Sequence, residues 1–90
     1  MKTTKTKMIG LPGNKMNNQY VIETDTEQIF QSYNSIIVRR PKGDGKIQLD
    51  SMYWNYSQTT AKYRNLFLGM NKKEIEERIK SGEFELVNLN

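Results

Sequence analysis

The sequence predicts a small α+β domain: an antiparallel sheet of three to four strands, in the order β-β-β-α-α-β, with two short helices packed on one face. Three patterns support this fold class. Apolar and polar residues alternate between residues 19 and 56, as they do in half-buried strands. Between residues 58 and 79 the apolar residues instead recur every three or four positions, which is typical of helices. A last apolar run follows Gly82 and adds the closing strand.

The distribution of charge divides the chain into a leader and a body. The 90 residues are enough for one domain, and the formal net charge is +4. All of that charge comes from four lysines within residues 1–18, which contain no acid, whereas residues 19–90 carry ten cations and ten acids. We therefore expect a flexible basic leader over residues 1–18, with at most a short strand near residues 8–11, and a single α+β domain over residues 19–90.

The first two strands and their turns follow from alternation and turn residues. Residues 19–24 form the first strand, and Asp25-Thr26 follow as a two-residue turn. The next segment, residues 27–40, is long for one strand, so we expect a bulge or bend at residues 32–35. Residues 41–45 contain one proline and two glycines and are the clearest turn of the chain.

The third predicted strand, residues 46–56, carries large side chains on both of its faces. Alternation divides them into Ile47, Leu49 and Tyr53 on one face and Met52, Trp54 and Tyr56 on the other. Only one face can pack beneath the helices. The other face must be exposed, covered by the leader or occupied by a partner.

Capping signals mark the ends of both helices. Ser57 is a good N-cap for a first helix over residues 58–70. Asn71 and Glu74 fit the capping box of a second helix, and Gly82 fits the residue that ends it.

The start of the first helix resembles a short signature, Tyr-Ser-x-Thr-Thr-x6-Phe-Leu, which runs here from Tyr56-Ser57 through Thr59-Thr60 to Phe67-Leu68. The signature is similar to that of small uncharacterised proteins encoded by bacteriophages and other mobile elements of Gram-positive bacteria. A strand with a Ser-Tyr pair precedes it in that family, as Ser32-Tyr33 does here. The resemblance covers residues 30–67 and implies a mobile-element origin and a compact α+β fold, but no reaction. The chain departs from the family in the long turn at residues 39–46 and in the lysine-rich leader.

The composition argues against an enzyme. Without Cys or His, the chain lacks the side chains that most often supply nucleophiles, general bases and zinc ligands. Its acids are too scattered for a Mg²⁺ site. We therefore expect no catalytic residue, no cofactor and no metal. Neither a membrane-spanning run nor a signal peptide is evident, so we expect a cytoplasmic location in the host cell cytosol.

The first candidate site is the hydroxyl cluster of Ser57, Thr59 and Thr60. At a helix start, hydroxyls and free N–H groups can hold a phosphate. The alternative is that Ser57 caps the helix while a threonine packs on the sheet. We favour capping, because the first N–H donors of any helix need partners.

The second candidate site is a set of cations interleaved with aromatic residues. Cations for phosphates and rings for stacking suit single-stranded nucleic acid, whereas exposed aromatics also suit a protein partner. The alternative is that the rings fill the core and the cations only solvate its edge. The candidate partner-binding residues are Arg39, Arg40, Lys42, Lys46, Tyr53, Trp54, Tyr56, Lys62 and Arg64.

These observations predict a non-enzymatic phage accessory protein that binds a host or defence protein and inhibits or redirects it, as an anti-CRISPR-like inhibitor would. The alternative is a small nucleic-acid-binding protein that uses the basic aromatic strip and the lysine-rich leader. A third hypothesis is a structural role in which an edge strand pairs between copies. No membrane partner is expected, and the oligomeric state is left open.

Overall fold

The computed structural model describes residues 4–9 and 15–90 of the chain, and the side chains of residues 19–90. Within these residues, six strands and two helices follow one another as β-β-β-β-β-α-α-β. The elements are β1 Thr4–Ile9, β2 Lys15–Glu23, β3 Glu27–Ser32, β4 Ser35–Pro41, β5 Ile47–Asp50, α1 Gln58–Leu68, α2 Lys72–Ser81 and β6 Phe84–Val87. Neither helix is long and apolar enough to cross a membrane.

The strands form one mixed sheet whose order follows the sequence, from β1 at one edge to β6 at the other. Neighbours pair antiparallel from β1 to β5, whereas β5 and β6 are parallel. A parallel pair requires a long crossover, which the two helices provide here. The α+β class is therefore confirmed. The sheet, however, has more strands than the three to four predicted, and it is not wholly antiparallel.

The second predicted strand is in fact a hairpin. β3 and β4 pair with each other, and the chain reverses at Tyr33 and Asn34. Tyr33 has a φ of 56°, a left-handed conformation that aromatic residues seldom adopt, so this reversal is hard to see in the sequence. The pairing also shifts between Phe30 and Gln31, which lets the consecutive residues Ile37 and Val38 both be buried.

The predicted flexible leader contributes backbone to the sheet. β1 and the start of β2 fall within residues 1–18, and they pair antiparallel. The division at residue 18 therefore does not mark the edge of the sheet. The strand predicted near residues 8–11 overlaps the end of β1, and its last two residues lie outside the described part of the chain.

The third predicted strand ends much earlier than residue 56. β5 stops at Asp50, and residues 51–56 are turns. The Asp50 carboxylate accepts hydrogen bonds from the backbone N–H groups of Met52 and Tyr53, so the chain bends away from the sheet at once. The prediction that Tyr53, Trp54 and Tyr56 alternate across a strand was therefore wrong.

One hydrophobic core lies between the sheet and the two helices. The sheet, α1 and α2 all contribute side chains to a single cluster, which places both helices on the same face, as predicted. Within it, the rings of Phe30 and Phe67 stack with centroids 5.9 Å apart. The buried members are Phe30, Ile37, Val38, Leu49, Tyr63, Phe67, Leu68, Ile75 and Phe84.

The predicted helix signals are confirmed. Ser57 caps α1 by accepting a hydrogen bond from the Thr60 N–H group. Asn71 and Glu74 form a reciprocal capping box at the start of α2, and Gly82 ends that helix with a φ of 84°.

Candidate functional site

The segment from residue 51 to residue 57 joins β5 to α1, and we call it the aromatic turn. It presents two large side chains to solvent: Met52 is 76% exposed and Tyr56 is 56% exposed. The Tyr56 ring also meets the Tyr53 ring edge to face, with centroids 5.4 Å apart. Tyr53 and Trp54 are half-buried and pack against the core. The turn therefore has an inner aromatic layer and an exposed apolar tip.

Asp50 holds the start of the aromatic turn. One carboxylate oxygen, Oδ2, accepts the N–H groups of Met52 at 3.0 Å and Tyr53 at 2.8 Å. The other oxygen, Oδ1, accepts the Leu89 N–H group at 2.8 Å and the Asn90 side-chain amide at 3.0 Å. Burial opposes the charge, but these four hydrogen bonds outweigh it and hold the pKa of Asp50 below its ordinary value of 3.8.

Arg64 holds the end of the aromatic turn from beneath. This residue is completely buried in α1, and its Nη1 atom donates to the Trp54 carbonyl oxygen at 2.6 Å and to Asn55 Oδ1 at 3.3 Å. The guanidinium also lies 5.2 Å from the centre of the Trp54 ring, within reach of a cation–π interaction.

The charge of Arg64 has no carboxylate in direct contact. The ion pairs among the described side chains are Arg39–Glu27, Lys42–Glu23 and Arg78–Glu83, so Arg64 takes part in none of them. Burial lowers the pKa of Arg64, and the more distant charge of Glu76 acts in the opposite direction. Oxygens of the turn and of Asn65 therefore solvate this cation in place of a carboxylate or water.

A groove of ≈ 350 Å³ opens beside the aromatic turn. Lys72, at the start of α2, is the one charged residue of its lining. The other lining residues are Asn55, Tyr56, Ser57, Gln58 and Ala61. The exposed Tyr56 ring therefore lines a shallow groove that also carries polar side chains.

The hydroxyl cluster at the start of α1 serves the fold. Ser57 is the cap described above, and Thr60 is buried with its hydroxyl 2.9 Å from that of Ser32 on β3. Thr59 is exposed. The capping interpretation is confirmed, since two of the three hydroxyls already have partners within the domain.

The two neighbouring arginines of β4 lie on opposite faces of the sheet. Arg40 lies on the helix face, 4.3 Å from the centre of the Phe67 ring, and donates to the Phe67 carbonyl oxygen at 3.1 Å. It also binds Gln28 Oε1 through two nitrogens, and burial lowers the pKa of Arg40. Alternation directs Arg39 to the open face, where it pairs with the Glu27 carboxylate. Arg40 thus stabilises the end of α1, which has no basic residue of its own in its last turn.

The three lysines of the candidate set are all exposed. Lys42 pairs with Glu23 at 2.9 Å, Lys46 lies before β5, and Lys62 lies on α1. Among the nine candidate residues, the structure brings together Tyr53, Trp54, Tyr56 and Arg64. Three of the other five have partners away from this cluster, since Arg40 is packed on Phe67 while Arg39 and Lys42 pair with carboxylates.

Sequence reasoning missed several residues that shape the site. Asp50 and Asn55 fix the turn through their side chains, Met52 forms its exposed tip, and Lys72 adds the charge of the groove. Asp and Ser both favour turns, so the Asp50-Ser51 pair could have ended the predicted strand at residue 50.

Comparison with known proteins places the chain in a family but not in a functional class. A family model described as a family of unknown function, DUF8033, matches residues 3–84. The chain belongs to this family. No curated protein and no solved structure matches it.

Proposed function

We propose that the protein is a non-enzymatic phage accessory protein that binds a host or defence protein through the aromatic turn and inhibits or redirects it. The observation that carries this proposal is the exposure of Met52 and Tyr56 on a turn that Asp50 and Arg64 hold in place. Exposed aromatic and thioether side chains are enriched at protein interfaces. A turn that is already ordered loses little conformational freedom on binding, which favours affinity. The phage origin rests on the resemblance of the helix-start signature.

The distribution of cations favours a protein partner over nucleic acid. Nucleic acid requires several cations free to neutralise phosphates. Of the four arginines and lysines between residues 39 and 46, two pair with carboxylates and a third is packed on Phe67. Arg64 is buried and cannot reach a phosphate.

A pull-down from a lysate of the bacterial host, with and without nuclease, tests this proposal. The comparison is between the parent chain and the double variant Met52→Ala/Tyr56→Ala, with Tyr33→Ala as the matched control. Tyr33 is 48% exposed on the β3–β4 turn, so the control removes a ring of similar exposure from another place.

We expect the parent and the control to retain a partner protein after nuclease treatment, and the double variant to retain about tenfold less of it. Loss of every partner on nuclease treatment would favour the nucleic-acid alternative. Equal retention by the double variant would show that binding, if present, uses another surface. Circular dichroism of each variant checks that the fold is intact.

A further inference from the structure

The segment of residues 88–90 is bound to the same carboxylate as the aromatic turn. Leu89 N–H and the Asn90 side-chain amide donate to Asp50 Oδ1, while the turn donates to Asp50 Oδ2. A single buried side chain thus joins two segments that are separated by more than thirty residues of sequence.

The Asn90 side chain also binds the backbone of β4. Its side-chain oxygen accepts the Ile36 N–H group at 2.8 Å, and its side-chain nitrogen donates to the Ile36 carbonyl oxygen at 3.0 Å. β5 pairs with β4 only at Val38 and Arg39, so Ile36 lies beyond the paired part of β5. The Asn90 amide takes the place that a longer β5 would occupy, and it does so where the aromatic turn leaves the sheet.

We infer that Leu89 and Asn90 are positioning residues for the aromatic turn, which they act on through Asp50. Displacing residues 88–90 would leave Asp50 Oδ1 buried without its donors, and the carboxylate would then rotate or draw in water. Either change weakens its hold on the Met52 and Tyr53 N–H groups. This positioning role does not depend on the proposed function. Its consequence does, because the 88–90 segment can influence partner binding only if the aromatic turn binds a partner.

The hydrogen-bond donors that lower the pKa of Asp50 are all uncharged. They are the backbone N–H groups of Leu89, Tyr53 and Met52 and the side-chain amide of Asn90. The coupling is therefore one of hydrogen-bond geometry, and its strength should be largely independent of salt.

Amide hydrogen exchange measured by NMR on the Asn90→Ala variant tests the inference without any partner. We expect the Met52 and Tyr53 amides to exchange about tenfold faster than in the parent, since one hydrogen bond of ordinary strength corresponds to such a factor. The Val38 amide, in the core of the sheet, reports global opening and should change less. Asn34→Ala is the matched control, because it removes an exposed asparagine from the β3–β4 turn.

The pKa of Asp50, measured by titration in the same variants, separates a specific loss of the Asn90 hydrogen bond from a general loss of stability. Removing the Asn90 donor should raise the pKa of Asp50, and Asn90→Gln, which keeps an amide, should restore part of the parent value. Unchanged Met52 and Tyr53 exchange in Asn90→Ala would overturn the inference. So would equal acceleration at Val38. Neither result bears on the pull-down, so failure of the positioning role and failure of the proposed function can be told apart.

Discussion

The two turns that flank β5 are built in different ways. The turn at residues 41–46 is shaped mainly by its own backbone, with proline and glycine in its sequence, one hydrogen bond from Lys42 N–H to the Thr26 carbonyl, and one exposed ion pair. The aromatic turn contains no proline or glycine. Buried polar side chains from β5 and α1 hold it instead, and Asp50 ties it to residues 88–90. A surface that depends on such bonds is ordered only when the whole domain is folded.

Removal of Arg64 should destabilise the protein more than any other change considered below, because Arg64 supports the aromatic turn. Arg64→Ala leaves a cavity beneath Trp54 and strips partners from the Trp54 carbonyl and the Asn55 side chain. We expect a loss of about 3 kcal/mol in the free energy of unfolding, measured by urea denaturation. Arg64→Met removes the same unpaired buried charge but keeps much of the volume, so it should lose less stability than Arg64→Ala. An Arg64→Ala variant as stable as the parent would mean that the turn does not depend on this support.

Substitution of Asp50 should rank second and should depend on pH. Asp50→Asn replaces one accepting oxygen with an NH₂ group that faces N–H donors, at a cost of about 2 kcal/mol at neutral pH. The folded pKa of Asp50 lies below its ordinary value of 3.8, so its contribution is fully present above that pH. It is lost as the pH falls through the folded pKa. The difference in unfolding free energy between parent and Asp50→Asn should therefore shrink in acid, and a constant difference would contradict this account.

Gln19 tests whether a buried polar side chain stabilises the fold when it makes no hydrogen bonds. This side chain is fully buried, and neither its Oε1 nor its Nε2 atom has a partner in the described part of the chain. Unlike Arg64 and Asp50, it has no partner among the described side chains to offset the cost of desolvation. Gln19→Met should raise the free energy of unfolding by about 1 kcal/mol in thermal or urea denaturation. A loss of stability would show that the amide has a partner.

The contrast between the turns also explains which elements can be predicted from sequence. Local signals sufficed for the helices, because Ser57, Asn71, Glu74 and Gly82 each act within one turn of chain. They sufficed for the turn at residues 41–45 for the same reason. The reversal at Tyr33 carries a weaker signal, which predicted only a bulge or bend at residues 32–35, because an aromatic residue occupies the left-handed conformation there.

The candidate site could be predicted only in part. The aromatic residues at positions 53, 54 and 56 do form one cluster, but period-two alternation was the wrong geometry for them. Arg64 illustrates why. Its position on α1 is predictable, whereas its burial beneath Trp54 depends on where the aromatic turn folds back onto the helix. Contacts between segments far apart in sequence, such as Asp50 with Leu89, leave no local pattern.

Gly45 should give a smaller effect, confined to the other turn. Its φ is 130°, and an added Cβ would lie 3.3 Å from Pro41 Cγ. Gly45→Ala should lower the free energy of unfolding by about 1 kcal/mol, because a side chain is strained in this conformation. Gly43→Ala is the matched control, since nothing lies within 4 Å of its added Cβ. If both variants were equally stable, the backbone of this turn would be less constrained than its geometry indicates.

Replacement of Lys42 should have the smallest effect on stability and still be measurable in another way. Its ion pair with Glu23 is exposed, and such pairs contribute little because water and salt screen them. Lys42→Ala should therefore leave the urea midpoint almost unchanged. The hydrogen bond from Lys42 is, however, the main cause that lowers the pKa of Glu23 below its ordinary value of 4.5. An NMR titration should show the Glu23 pKa moving back toward that value in the variant. A large loss of stability would instead show that side chains hold the turn at residues 41–46. The two turns that flank β5 would then be stabilised in the same way.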